Sequence, residues 1–402
     1  MTTLYTAPFL LMGLANFSSI ASFACFYLFP LFLVDRGASQ TDVGLIMGSF
    51  SLSAVLCRPW VAAMIDRFGR KRSLTVGTLI MTVVPLAYIG LRGGLHETYV
   101  FLLLIRIFHG IGLALCSTAV FTYIVDIIPT SRLNEGLGIF GVSGLIGLAV
   151  GPVLAEMVIY QWGFTFHFLL ASLLGLVAMA SHLGLRESYV KPEHEASPSF
   201  FHLFRRKKLL MVAVLAALFG IAAAASGGFV APYAKTLQLR FVAVYYVSYS
   251  LAAVLTRFGG ARLGDRIGEH RLLPYALILS GTGLLLMTLL HGSAILALAG
   301  LLSGCGHGFL YPSLNALAVR DEPISIRGKV TGFFTGSIEA GVFLGSLLLG
   351  YVGDWLGFRA LFLAAGCAVL LGLIVCPWRS AVVGIPKPPL QAWSCRNRHA
   401  GS

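Results

Sequence analysis

A few ionisable side chains stand inside runs that are otherwise apolar: Glu339 in FFTGSIEAGVFLG, Arg106 in LLLIRIFHGIG and Glu156 in GPVLAEMVIY. A carboxylic acid removed from water holds its proton more readily, and one facing a cavity that opens to alternate sides can carry protons across a membrane. Glu339, near the middle of its run, is the first candidate for that role. It could equally bind a cationic ligand, pair with Arg106, or remain protonated as a packing residue. Glu156 lies nearer the end of its run and ranks second. An arginine within a bilayer costs about 2.5–3.5 kcal/mol on insertion scales, so Arg106 should face a cavity or a partner, unless it snorkels to the interface. His109 and His307 titrate in a useful range, although a lone helical histidine is more often a packing residue.

A second constellation is RPWVAAMIDRFGRKR at 58–72, which returns as RFGGARLGDRIGEHR at 257–271. In both copies a single aspartate, Asp66 or Asp265, stands at the junction between an apolar run and a basic cluster. Such a carboxylate can face the positive N-terminus of another helix. A solvated basic loop would explain the arginines, but not the shared spacing of Asp and Gly.

The elements that position these groups follow from composition. The chain has 402 residues, is 57% hydrophobic and 11% charged, and has a mean hydropathy of +0.85. Soluble domains carry about 25% charged residues, so the reading is an all-α membrane protein crossing the bilayer many times. Twelve spans are expected: 8–34, 42–65, 73–91, 98–122, 136–158, 163–185, 209–234, 241–264, 272–290, 294–319, 328–351 and 358–377. The first run has no basic residue ahead of it and is too long for a signal-peptide core, so it reads as a retained span. With the N-terminus inside, 23 of the 29 Lys and Arg fall on cytoplasmic segments and five on outer loops. Both termini should therefore be cytoplasmic, in a cell membrane. The net charge of +13 thus reads as an orientation signal that favours anionic lipid rather than nucleic acid. The seven cysteines are scattered, with no metal-ligand spacing and no disulfide framework, and no cofactor is implied.

The chain repeats itself. Arg58, Asp66, Arg67, Gly69 and Arg72 match Arg257, Asp265, Arg266, Gly268 and Arg271 at an offset of 199. Gly138, Gly147 and Gly151 match Gly332, Gly341 and Gly345 at an offset of 194. The expected organisation is an N-terminal six-helix bundle over 1–185, a cytoplasmic linker over 186–208, a C-terminal six-helix bundle over 209–378 and a cytoplasmic tail over 379–402. Parallel repeats of this kind enclose a cavity near the bilayer midplane and rock about it.

With these motifs the chain resembles the major facilitator superfamily over nearly its whole length. The loop signature G-x-L-A-D-R-x-G-R-K-x-x-L is matched by Asp66, Arg67, Gly69, Arg70, Lys71 and Leu74, with Ala62 and Met64 replacing its first Gly and Leu. The resemblance implies a conformational latch at Asp66, Arg67, Gly69 and Arg70, with Asp265, Arg266 and Gly268 in the second half, Asp66 meeting the start of the eleventh helix. RIFHGIGLA resembles the fourth-helix signature R-x-x-Q-G-x-G, with His109 for Gln, which implies a part for Arg106 in proton coupling. GIFGVSGLIGLAVGP resembles the exporters' fifth-helix signature through Gly138, Gly147, Gly151 and Pro152, while its terminal Gly-Gly becomes Ala155-Glu156. That motif, with Gly341 and Gly345 in the second half, implies close packing and a bend where the halves meet, and points to drug/proton antiport.

The cavity is expected between the first, fourth, seventh and tenth helices, lined by Asn16, Phe23, Tyr27, His109, Phe229, Tyr233, His307, Tyr311 and Asn315, a mixture suited to an amphipathic organic ligand. The leading function is proton-coupled efflux of a small organic compound by alternating access, performed by a monomer with protons and that compound as partners. Uptake or facilitated exchange of an anionic or neutral metabolite is the alternative, with Arg106 as its ligand. A non-transporting sensor is the rival of another class. Nothing resembles an enzyme: no H-E-x-x-H and no phosphate loop is present.

Overall fold

The structure is a computed structural model describing residues 4–129, 132–188, 203, 205–267, 269–320, 322 and 324–376, with backbone alone for 134, 258–267, 269–270, 324–325 and 327–328. Gly268, the side chains of Asp265 and Arg266, most of the 186–208 linker and the tail lie outside the described residues.

Every regular element among them is helical. The spanning helices are α1 Ala7–Val34, α2 Gln40–Phe68, α3 Arg70–Gly90, α4 Leu95–Ile127, α5 Glu135–Trp162, α6 Phe164–Leu183 and α7 Lys207–Thr236. They continue as α8 Ala243–Ile267, α9 Arg271–Leu289 and α10 Ser293–Val319. The last apolar stretch, Lys329–Val375, leaves helical geometry at Gly357 (φ 80°) and so divides into α11 (329–356) and α12 (358–375). Three consecutive pairs are joined by one glycine at positive φ: Gly69 (100°), Gly163 (81°) and Gly357. A side chain with a Cβ rarely adopts that conformation. The chain enters α1 and α2 through side-chain caps, Thr6 on Phe9 N and a Ser39–Asp42 capping box.

Alternation of direction puts residues 69, 184–188, 205–206, 320 and 322 at one end of the bundle, here called the basic end, and residues 35–39, 91–94 and 237–242 at the far end. Large apolar side chains such as Leu56, Val100, Leu173, Leu255 and Ile374 remain exposed on the outer surface, where lipid replaces water.

Close packing depends on missing side chains. A Cβ on Gly147 would stand 2.5 Å from Phe17 O and one on Gly151 2.4 Å from Ala21 O, both of α1. The second half repeats this: Gly341 meets Ala217 O at 2.0 Å and Gly345 meets Ile221 Cα at 2.9 Å, both on α7. These glycines therefore pack α5 on α1 and α11 on α7 within each half, and not where the halves meet, as the fifth-helix motif led us to expect. Gly138 has nothing within 4 Å of a built Cβ. The junction between halves uses other small residues. Gly44 of α2 would meet Ser346 O of α11 at 2.1 Å, and Gly350 would meet Gln40 O at 2.6 Å.

The two kinds of contact should respond differently to one added methyl. Gly341→Ala overpacks one half and should lower the thermal unfolding midpoint of the detergent-purified protein, at a cost of about 1–3 kcal/mol. Gly44→Ala should cost less stability, because the halves can separate at the far end to accommodate it. Dye-monitored melting of both variants checks this, and equal losses would contradict it.

Candidate functional site

The space between the halves is organised by two arginines that occupy equivalent places in the repeat. Arg58 lies 18 residues along α2 from Gln40 and Arg257 lies 14 residues along α8 from Ala243, roughly 20–27 Å from the far end at 1.5 Å per residue. Each crosses to the other half. Arg58 Nη1 donates to Thr335 Oγ1 of α11 at 2.6 Å, beside Gly336. The Arg257 guanidinium lies against Gly141 of α5, where a Cβ would stand 2.9 Å from Nη1. A bulkier residue at either glycine would close the space that the guanidinium occupies.

Glu339 belongs to the same group. Its carboxylate lies in the field of Arg58 with Ser51 next to it, yet the residue is only half-buried. A carboxylate this far from both ends of a spanning helix, at the junction of the halves, stands where a central cargo path would run. Tyr311 of α10 stands at the centre, within electrostatic reach of Arg257, Arg58 and Glu339 together, with the Arg257 guanidinium carbon 5.7 Å from its ring centroid. Tyr249 Oη is hydrogen-bonded to His307 Nδ1, and the His307 and Tyr311 rings stack at 6.0 Å. Asn315 lies one turn further along, its Oδ1 without a partner. Tyr27 completes the wall. Its ring stacks on Tyr246 across the halves at 5.1 Å and on Phe23 edge-on at 5.5 Å. It rests on Gly227, where a Cβ would meet Cε1 at 2.9 Å. Gly227 belongs to a π turn, Ala225–Phe229, in α7, and α1 has its own irregular turn at Phe26–Leu28. Such turns loosen helices at functional positions.

The remaining expected residues lie elsewhere. Arg106 does not meet Glu339. It is 1% exposed, donates from Nε to Ile46 O at 3.4 Å, and is surrounded by Phe50 (4.5 Å), Phe29 (5.5 Å) and Phe26 (5.6 Å). Cation–π attraction and a carbonyl replace the counter-ion. His109 is fully buried between Phe26 (4.5 Å) and Phe50 (5.5 Å). Asn16 is 3% exposed and donates to Ser143 Oγ at 2.9 Å, which fastens α1 to α5. Phe229 is buried, and Tyr233 stacks on Phe358 and Phe362 at 5.0 and 5.6 Å inside the second half. None of these five lines the cavity.

Glu156 also works elsewhere, at the far end of α5. Its two oxygens accept from Val242 N and Ala243 N, both at 2.7 Å, and so cap the first turn of α8 in the other half. Asp354, at the far end of α11, does the same for α2, accepting from Gln40 N at 2.6 Å and Thr41 N at 2.8 Å. Lys235 pairs with Asp35 between α7 and α1. The far end is thus sealed by three polar links between halves.

The basic end differs. Asp66 is 72% exposed and, among the described side chains, pairs with Arg70 alone, at 3.9 Å. The side chains around Arg327 at the start of α11, where the latch partner was expected, lie mostly outside the described residues. Arg70 also forms an ion pair with Asp126, Nε to Oδ2 at 3.1 Å, and Glu187 accepts from Arg70 N (2.8 Å) and Lys71 N (3.1 Å) at the start of α3. Neither Asp126, next to last in its helix, nor Glu187, beyond the end of α6, carries a local mark in the sequence that points to Arg70. Since Asp66 is exposed and, among the described side chains, meets Arg70 alone at 3.9 Å, Asp66→Asn should leave expression and melting unchanged while slowing transport severalfold. Initial-rate transport in proteoliposomes checks this, and a normal rate would leave Asp66 as part of a topology signal.

Twelve spanning helices in two like halves, with a cluster of charged and aromatic side chains between them, are the architecture of a membrane transporter. Residues 11–320 and 237–397 match the profile of the Major Facilitator Superfamily, and the chain belongs to that family. It is a multi-pass transporter of small molecules, not an enzyme. It is 24% identical over 385 residues to the staphylopine export protein of Staphylococcus aureus, covering 92% of this chain and 95% of that one. It is 26% identical over 373 residues to the multidrug resistance protein MdtG of Klebsiella pneumoniae, covering 90% and 89%. A crystal structure of a POT family transporter bound to a thioalcohol-conjugated peptide superposes with a TM-score of 0.77 at 14% identity, covering 91% of this chain and 95% of that one.

Proposed function

We propose that this transporter exports a small organic compound in exchange for protons, with Glu339 as the proton carrier. The observation that carries the reading is the position of Glu339, central in its span and within the field of Arg58 of the other half. When ionised it neutralises Arg58 and holds α11 to α2, and when protonated it releases that tie. Proton occupancy is thereby felt at the junction that must move. The positive-inside distribution favours a cytoplasmic basic end. The sealed far end and exposed Asp66 then correspond to a state that takes cargo from the cytoplasm. The fifth-helix spacing and the export relatives favour outward movement.

The test uses proteoliposomes loaded with the pH dye pyranine under a pH gradient, exposed in turn to organic cations, acids and neutral amphiphiles. Proton movement triggered by one of these compounds supports antiport. Movement of compound without protons would replace it with facilitated exchange.

A further inference from the structure

The repeat duplicates the arginine but not its counter-ion. Arg58 faces Glu339 on α11. The residue of α5 that corresponds to Glu339 at the 194-residue offset is Leu145, and the α5 position Arg257 actually lies against is Gly141. Among the described side chains Arg257 meets no carboxylate. Its electrostatic neighbours are Tyr311 and Tyr249, and its Nε has no hydrogen-bond partner. Two guanidinium groups and one carboxylate leave the cavity with one uncompensated positive charge. A cation this far inside a membrane protein is retained for a partner, and the described side chains supply no carboxylate for it. We propose that Arg257 is the anchor for an anionic group, a carboxylate or an equivalent oxyanion, on the transported compound.

The surroundings define the rest of the ligand. A planar guanidinium presents several N–H donors in a fork that matches an oxyanion. The Tyr311 face and the stacked His307 ring offer a surface for an aromatic or apolar body. Asn315 Oδ1 is an unused acceptor for a donor on the same compound. The cargo that fits is an organic acid with an aromatic or apolar portion. Arg106, the anion ligand suggested by the sequence, is enclosed by aromatic rings away from this space.

The inference rests on reading the cavity as the cargo path and not on proton coupling, so a binding measurement separates the two. Purified full-length protein is melted with matched acids and amides: benzoate and benzamide, indole-3-acetate and indole-3-acetamide, hippurate and hippuramide. At least one acid should raise the melting temperature where its amide does not. Arg257→Gln should weaken that acid about tenfold or more, the scale of a lost charge-assisted hydrogen bond, while Arg257→Lys should retain part of the affinity. Glu339→Gln removes the cavity's only described carboxylate and should strengthen acid binding, an effect a purely structural arginine would not produce. Acids that never exceed their amides, or an Arg257→Gln protein that binds the acid as tightly as wild type, would overturn the assignment.

Discussion

Replacing Glu339 by Gln is expected to abolish cargo-driven proton movement, at least tenfold below wild type, while passive exchange of cargo across the liposome membrane persists. Gln preserves shape and hydrogen-bonding capacity but has no proton to release within the working pH range. Arg58 would lose its counter-ion, and breaking a pair in a dry interior is costly. Arg58 keeps its bond to Thr335, which still holds its guanidinium when the carboxylate is replaced. The protein should therefore still fold. Pyranine fluorescence and radiolabelled counterflow on the same vesicles separate the two readouts. A structural role would lower both together, and a carrier role lowers only the first. Glu339→Asp should recover part of the coupling. Proton movement at the wild-type rate in the Gln variant would return Glu339 to packing.

Much of the architecture is legible because membrane spans and repeats leave marks in composition. The offsets of 199 and 194 are visible in the sequence and correspond to real equivalences. The irregular turns beginning at Phe26 and at Ala225 are themselves 199 residues apart. Gly163 and Gly357, which make the same tight turn, share the 194 offset and could have been recognised from it. The roles of Arg58 and Arg257 were harder to see. Both were grouped with the basic cluster that follows them, although each precedes its aspartate by eight residues, or two helical turns. That distance places them inside the bundle and not in its loop. Arg106 presented the opposite difficulty. An isolated arginine in an apolar run suggests a cavity, and only the packing of Phe26, Phe29 and Phe50 shows that aromatic faces satisfy it instead. Asn16 looked like a cavity residue for a similar reason, and its partner Ser143 is distant in sequence.

The two carboxylate caps at the far end were beyond any local pattern, because their donors are backbone N–H groups that no side chain marks. Glu156 and Asp354 nevertheless form one device made twice, each a carboxylate closing the first turn of a helix in the other half. The aligned peptides of α2 and α8 give those N-termini partial positive charge, and each carboxylate accepts two charge-assisted bonds there. Such a bond contributes about 1.5–3 kcal/mol in protected surroundings. Asp354 is exposed, so its share is smaller, whereas Glu156 is half-buried. Glu156→Gln combined with Asp354→Asn places an NH2 group against a backbone N–H at each site. The expected result is a shift of about 2 kcal/mol or more toward separation of the far ends, roughly thirtyfold in population. Spin labels on cysteines introduced at His96 and His291, both exposed on far-end segments of opposite halves, would report it in a background freed of native cysteines. Wild type should give one short distance and the double variant an added longer one. Because these links close the end opposite to Asp66, opening them should also make Asp66 less accessible as the basic end closes. An unchanged distance distribution would mean that the glycine contacts of α2 on α11 hold the far end closed without the carboxylates.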